Sequence, residues 1–252
     1  MTIVLHEREY AEQLLESDSL GQHPSETLTR IAKLCIANGY SKSDTRKILE
    51  RHIVKCLPDA NMLLWNELIE KDIRFASKYP LVDIDYVPVY SNELKICDSL
   101  DGVQMRRLMF TLICLARYSN MVNSMNNNWV NRQEKDILNL ANLEVSIKRR
   151  SLMFNALRDC GLIGFSHRVD NLNVNVKCLS DPEVDILTMR ITDFRNLGYQ
   201  YMCQSGVPSL RCSVCGATIP RKNNRQMYCR ECAKEVNRMK AVSRYRKHCA
   251  SL

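Results

Sequence analysis

The chain has 252 residues, 45% of them hydrophobic and 25% charged, the balance of an ordinary globular protein. No apolar run approaches the roughly 20 residues needed to cross a bilayer. The opening MTIVLHEREYAEQLL lacks a basic stretch followed by an apolar one, so a secretory leader is not expected and a cytoplasmic location is. The net charge of +8 is unevenly placed: residues 211–248 hold eleven of the 36 Lys and Arg and only two of the 28 acids, while residues 1–210 carry 25 basic and 26 acidic side chains. A basic segment of this kind is the electrostatic footprint of a phosphate-bearing partner.

In chain order, residues 1–90 read as a helical region. Residues 26–38 place Leu28, Ile31, Ala32 and Cys35 at helical spacing and stop at Gly39. Ser41 opens a second helix, with Asp44 as the acidic member of a capping box. Ile48, Ile53, Val54 and Leu57 are its expected inward positions, and Pro58 closes it. A third helix is predicted over 60–77, with Leu63, Leu64, Leu68, Ile69 and Ile73 on its apolar side and Trp65 as a packing residue. Val82, Ile84 and Tyr86 alternate with Asp83 and Asp85 like a half-exposed strand, and the join to the next unit is expected at 80–92.

Residues 91–205 have the element order of a winged helix-turn-helix. An apolar helix over 101–119 precedes a short strand at Trp129-Val130 and a short helix over 133–140. A helix over 146–159 follows, stopped by Gly161, then strands at 162–169 and 172–179 around a turn at Asp170-Asn171. In the 146–159 helix, Leu152, Met153, Ala156, Leu157 and Cys160 form the predicted buried stripe. Lys148, Ser151, Asn155 and Arg158 share the opposite face, and Arg149 and Arg150 make the first turn basic. A recognition helix presents such residues to base edges and phosphates. Arg168 and Asn171 on the hairpin are placed to reach an adjacent groove or backbone. The same arrangement also serves as a protein-binding scaffold, which stays open as the alternative.

Residues 206–252 carry C-x2-C, thirteen residues, then C-x2-C: Cys212, Cys215, Cys229 and Cys232. Four thiolates in this spacing complete a tetrahedron around one zinc ion and leave no position for water, so the expected site is structural. Gly216 suits a tight knuckle, residues 217–227 read as a hairpin, and a helix over 232–247 holds the second pair in its first turn. Knuckle, hairpin and helix-borne ligands resemble treble-clef or zinc-ribbon fingers. Arg221, Lys222 and Arg225 decorate the hairpin, and Lys234, Arg238, Lys240 and Arg244 the helix. Such cations neutralise phosphates and weaken in salt. The other eight cysteines (Cys35, Cys56, Cys97, Cys114, Cys160, Cys178, Cys203 and Cys249) are scattered and read as small buried hydrophobes.

The strings FTLICLARYSN, NNWVN, ANLEVSIKRRSLM, LRDCGLIGFS, VDNLNVNV and ITDFRNLGYQY, with the terminal CSVCG and YCRECA, resemble proteins carried by bacterial prophages and conjugative elements. The resemblance extends over most of the chain and implies a mobile-element role without supplying an activity. The sequence has no G-x-x-x-x-G-K-[ST], G-x-G-x-x-G or G-x-S-x-G, only eight glycines, and five widely spaced histidines. The expectation is therefore a mainly helical, non-enzymatic protein with a small β component. Duplex DNA is its favoured partner, in replication or transcription control. The alternatives are an inhibitor or adaptor that targets a host nucleoprotein complex, such as a defence system, and an RNA-binding protein.

Overall fold

Four helices build the first unit, Met1–Tyr86: α1 (Glu7–Glu16), α2 (Pro24–Ala37), α3 (Lys42–Cys56) and α4 (Met62–Lys78). In this computed structural model the described residues are 3–166 and 173–249. Leu28, Ile31, Ala32, Leu49, Ile53, Ile69 and Ile73 interlock as the core of the unit. Ser41 caps α3 as expected: its Oγ accepts from the Asp44 amide at 3.1 Å and donates to the Asp44 carboxylate at 2.7 Å.

The phases of α3 and α4 differ from the predicted ones. In α3 the buried residues are Thr45, Leu49, His52 and Ile53, while Val54 and Leu57 are exposed. In α4 the buried residues are Ile69, Asp72, Ile73 and Ala76, whereas Leu63 and Leu64 are 78% and 80% exposed. Both helices carry apolar residues around more than half their circumference, so periodicity alone leaves the inward face undecided. Trp65 packs against the core as expected.

Helix α1, which the sequence reading missed, buries a carboxylate. Glu7 accepts from Arg30 at 3.2 Å, from Lys33 at 3.0 and 3.1 Å, and from the Val82 amide at 2.9 Å. That network fixes the segment after α4 against α1. The alternating residues 82–86 consequently form no strand; Asp83 makes a single bridge with His6. His6 Nδ1 lies 3.7 Å from the Asp83 carboxylate, but among the described residues the D-x-D joins no cluster of three or more metal-ligating side chains.

The second unit, Val87–Leu252, begins with β1 (Val87–Tyr90) and α5 (Ser91–Ser99). Helix α6 (Val103–Val122) follows, buried along most of its length through Leu108, Met109, Phe110, Leu112, Ile113, Cys114 and Ala116. A 3-10 turn (Ser124–Asn126) leads to β2 (Trp129–Val130), α7 (Glu134–Leu140), α8 (Ile147–Asp159), β3 (Ile163–Phe165) and β4 (Val174–Val176). The three strands form an antiparallel sheet of order β2-β4-β3, with Ile163 opposite Val176 and Phe165 opposite Val174. The predicted turn at Asp170-Asn171, with Arg168, lies outside the described residues. Strand β5 (Leu187–Ile191) returns to pair with β1. It leads to α9 (Leu197–Gln204), the hairpin β6 (Ser209–Arg211) and β7 (Thr218–Pro220), and α10 (Arg230–Cys249).

One buried ion pair ties this unit together. Glu93 of α5 accepts from Arg117 Nε of α6 at 2.9 Å, and also from the Tyr90 and Ser180 amides at 2.8 and 3.1 Å. Arg117 in turn donates to the Ser180 carbonyl at 2.7 Å. Full pairing is what makes a buried charge tolerable.

Helix α8 starts at the Ser146 cap and ends where Gly161, at φ +73°, lets the Leu162 amide turn back onto the Leu157 carbonyl at 3.0 Å. Its buried residues are Met153, Phe154 and Leu157. Leu152, Ala156 and Cys160, predicted as core, are exposed. The stripe is rotated because Phe154 is drawn inward, while Arg150 is held by Glu134 of α7 at 3.4 Å. Of the remaining cysteines, Cys35, Cys97 and Cys114 are buried and Cys56, Cys178 and Cys203 half-buried.

Candidate metal centre and basic helix

The hairpin β6–β7 carries the first cysteine pair in its turn. Cys212 bonds back through its amide to the Ala217 carbonyl at 3.0 Å, and Gly216, at φ +70°, donates to the Cys212 carbonyl at 2.9 Å. The predicted hairpin over 217–227 is thereby corrected: the knuckle itself is the hairpin turn, and residues 221–229 run as a loop into α10. The expected helix bearing the second pair is present, with Cys229 just before it and Cys232 in its first turn.

The four ligand sulfurs lie within 4.8 Å of one another. Tetrahedral sulfurs at a metal–sulfur distance of about 2.3 Å are separated by about 3.8 Å, and Cys215 and Cys229 stand 3.9 Å apart. Amides support the cluster: Cys229 N–H points to the Cys212 sulfur at 3.3 Å, and Cys232 N–H to the Cys229 sulfur at 3.4 Å. Burial opposes ionisation of Cys212, but the Cys215, Cys229 and Val214 amides outweigh it and bring that thiol down to about 6. Cys232 is pushed up to about 12 by its bond to the Cys229 sulfur, with burial adding to the effect. Four thiolates at this spacing repel one another, so all four ionise together only around a cation. Donor type, number and spacing fit a tetrahedral metal ion with no open position.

The centre is seated on the rest of the unit. Asn196, at the start of α9, donates from Nδ2 to the Thr218 carbonyl at 3.4 Å. Asn142, after α7, donates to Asn196 Oδ1 at 2.8 Å and accepts from the Tyr199 amide at 3.2 Å. Arg230 reaches Glu144 in the α7–α8 loop at 3.1 Å, an exposed pair that orients more than it stabilises.

The predicted contact residues divide into two groups. Arg221, Lys222, Arg225, Lys234, Arg238 and Arg244 are all exposed on the loop and α10; Arg238 pairs with Glu235 at 2.9 Å. On α8, Lys148 and Ser151 are exposed and Asn155 is half-buried. Ser151 bonds the Ile147 carbonyl at 3.3 Å. Arg149 and Arg150 are tethered to neighbouring helices: Arg149, itself exposed, donates from Nε to Gln104 of α6 at 3.1 Å, and the half-buried Arg150 is the partner of Glu134.

The sequence reading missed two features. Ile147 and Leu152 are 75% and 60% exposed on α8 beside Lys148. A cavity of about 470 Å³ also opens between α8 and the start of α6, lined by Val103, Met105, Arg149, Leu152 and Ala156. An apolar exposed position on a basic helix face is visible only once the helix phase is known.

No protein-family model, curated protein or solved structure matches this chain at a significant level. No helix among the described residues is long and apolar enough to cross a membrane.

Proposed function

We propose that this chain is a non-enzymatic nucleic-acid-binding protein, with duplex DNA as its first partner and one structural zinc ion in the four-cysteine centre. The observation that carries this reading is the set of exposed cations on the metal-bearing segment, Arg221, Lys222, Arg225, Lys240 and Arg244 among them. Zinc is favoured over iron because a single closed site of four thiolates is its usual setting. The ion's work is to fold a basic loop and helix, and these neutralise phosphates.

The order α6, β2, α7, α8, β3, β4, with a β2-β4-β3 sheet, supports reading residues 103–176 as a winged helix with α8 as its recognition helix. Lys148, Ser151 and Asn155 are then the side chains offered to the major groove, and Arg149 and Arg150 serve first to hold α8 in place. A cytoplasmic location and a role in a phage or other mobile element, in replication or transcription control, complete the proposal. The latter rests on the sequence strings alone.

Fluorescence anisotropy on random duplex DNA, single-stranded DNA and RNA across a salt series tests this. With roughly five phosphates neutralised, affinity should fall by about two to three orders of magnitude between about 50 and 200 mM salt. Absence of binding at low salt to all three would overturn it, and preference for RNA would shift the partner. The second reading, a protein-binding inhibitor or adaptor, is favoured by the apolar cavity between α6 and α8. It predicts salt-insensitive binding to a protein partner that Leu152→Asp abolishes.

A further inference from the structure

We propose that α4 pairs antiparallel with α4 of a second copy of this chain. The helix carries two separate apolar faces. Ile69, Ile73 and Ala76 serve the core of its own unit. Leu64, Leu68 and Phe75 lie roughly 120° further round at the helical 100° per residue, with Tyr79 following as the C-cap. Leu64 is exposed, Leu68 is half-buried with one side packed on the unit's own core, and the Phe75 and Tyr79 rings, both exposed, lie 4.5 Å apart at a 40° tilt. Lys71 occupies the position between Leu68 and Phe75, completing the alternating spacing of four and three residues that forms a helix–helix seam.

The face is self-complementary in one orientation. In an antiparallel pair centred between residues 69 and 70, Leu64 meets the partner's Phe75 and Leu68 meets the stem of the partner's Lys71, whose ammonium reaches out to water. The outer edge of the seam carries Glu67 and Arg74, both exposed. Among the described residues neither is in an ion pair within 4 Å; Arg74 donates to the Glu70 carbonyl at 3.4 Å, and its charge also acts on the Glu70 carboxylate, which Arg46 already pairs. The same register sets Glu67 of each copy beside Arg74 of the other, twice over. A parallel, in-register pair would instead bring Lys71 onto Lys71. A two-fold interface must hold both members of each pair on one patch, and this patch does. A single helix seam is at the small end of specific interfaces, so a weak, concentration-dependent association is expected.

The test is sedimentation equilibrium of the full chain with zinc bound, over two decades of concentration. A concentration-dependent dimer is expected, abolished by Leu64→Asp. Glu67→Arg and Arg74→Glu should each weaken it about tenfold, and the double exchange Glu67→Arg/Arg74→Glu should return it to within about threefold of the original. All three positions are exposed, so circular dichroism should show unchanged folding. A monomer at the highest concentration overturns the proposal. So does a dimer that Leu64→Asp leaves intact, or a folded double variant that stays as weak as the single ones.

Discussion

Gly198 stands so close to Ala141 that a Cβ on the glycine would lie 2.0 Å from the alanine carbonyl oxygen. The same carbonyl accepts from Arg107 Nε at 3.0 Å, and Arg107 also bonds the Asn142 carbonyl. A buried guanidinium thus sits at the C-terminal end of α7, where helix carbonyls are unsatisfied and carry partial negative charge. Helix α9 closes over this junction, and through Asn196 it seats the metal-bearing hairpin.

Gly198→Ala is therefore expected to destabilise the second unit by at least about 2 kcal/mol, since the clash is with backbone that has no room to shift. Urea denaturation followed by circular dichroism measures it. A loss below about 0.5 kcal/mol would show that α9 is not pinned at this junction.

Metal removal should unfold the segment after Ser209 while leaving the rest of the protein helical. Cys229→Ser is expected to lower bound zinc from one ion per chain toward none, and to reduce the helical signal of α10. Cobalt substitution should give the absorption of a tetrahedral thiolate site in the parent and lose it in the variant. Because each ligand must shed its proton, affinity should fall as pH falls. Full zinc occupancy in Cys229→Ser would remove that residue from the ligand set.

Arg117→Met leaves the Glu93 carboxylate buried without its counter-charge and should cost about 3–5 kcal/mol. The double change Glu93→Gln/Arg117→Met should recover part of that loss, because the stranded charge is gone. Equal destabilisation in the single and double variants would mean that packing, not charge pairing, sets the cost.

Asp72 offers a pH-dependent test in the first unit. Burial raises its carboxyl pKa, outweighing the bonds from Ser25 at 2.8 Å and Thr29 at 3.1 Å that lower it. One carboxylate oxygen, Oδ2, is buried with no hydrogen-bond partner. A folded-state pKa above the unfolded one favours folding in acid, and that advantage is lost as pH rises through the folded value. Asp72→Asn, which does not ionise, should thus gain on the parent between acid and neutral pH. Urea midpoints of the two proteins at both pH values check this; a gap that is constant or narrows toward neutrality would contradict it.

Much of this protein was legible locally. The cysteine spacing named the four side chains that gather into one cluster, because chelation from two knuckles constrains residues only a few positions apart. The caps at Ser41 and Ser146, the stop at Gly161 and the helices around 26–38, 101–119 and 146–159 are likewise short-range matters of backbone hydrogen bonding. What spacing left open was rotation and long-range pairing. Leu152 and Phe154 are both apolar, and only the packing of α8 turned Phe154 inward and Leu152 out; Leu64 and Ile69 were sorted the same way on α4. Strand β1 lies at 87–90 rather than 82–86 because its partner, β5, is a hundred residues away. The charge of residues 211–248 was fixed by the sequence alone. That Arg149, itself exposed, and Arg150 are tethered to Gln104 and Glu134, while Arg221, Lys222 and Arg225 stand on an exposed loop, was decided by which amides and carboxylates folding brought near, and by nothing written beside them in the chain.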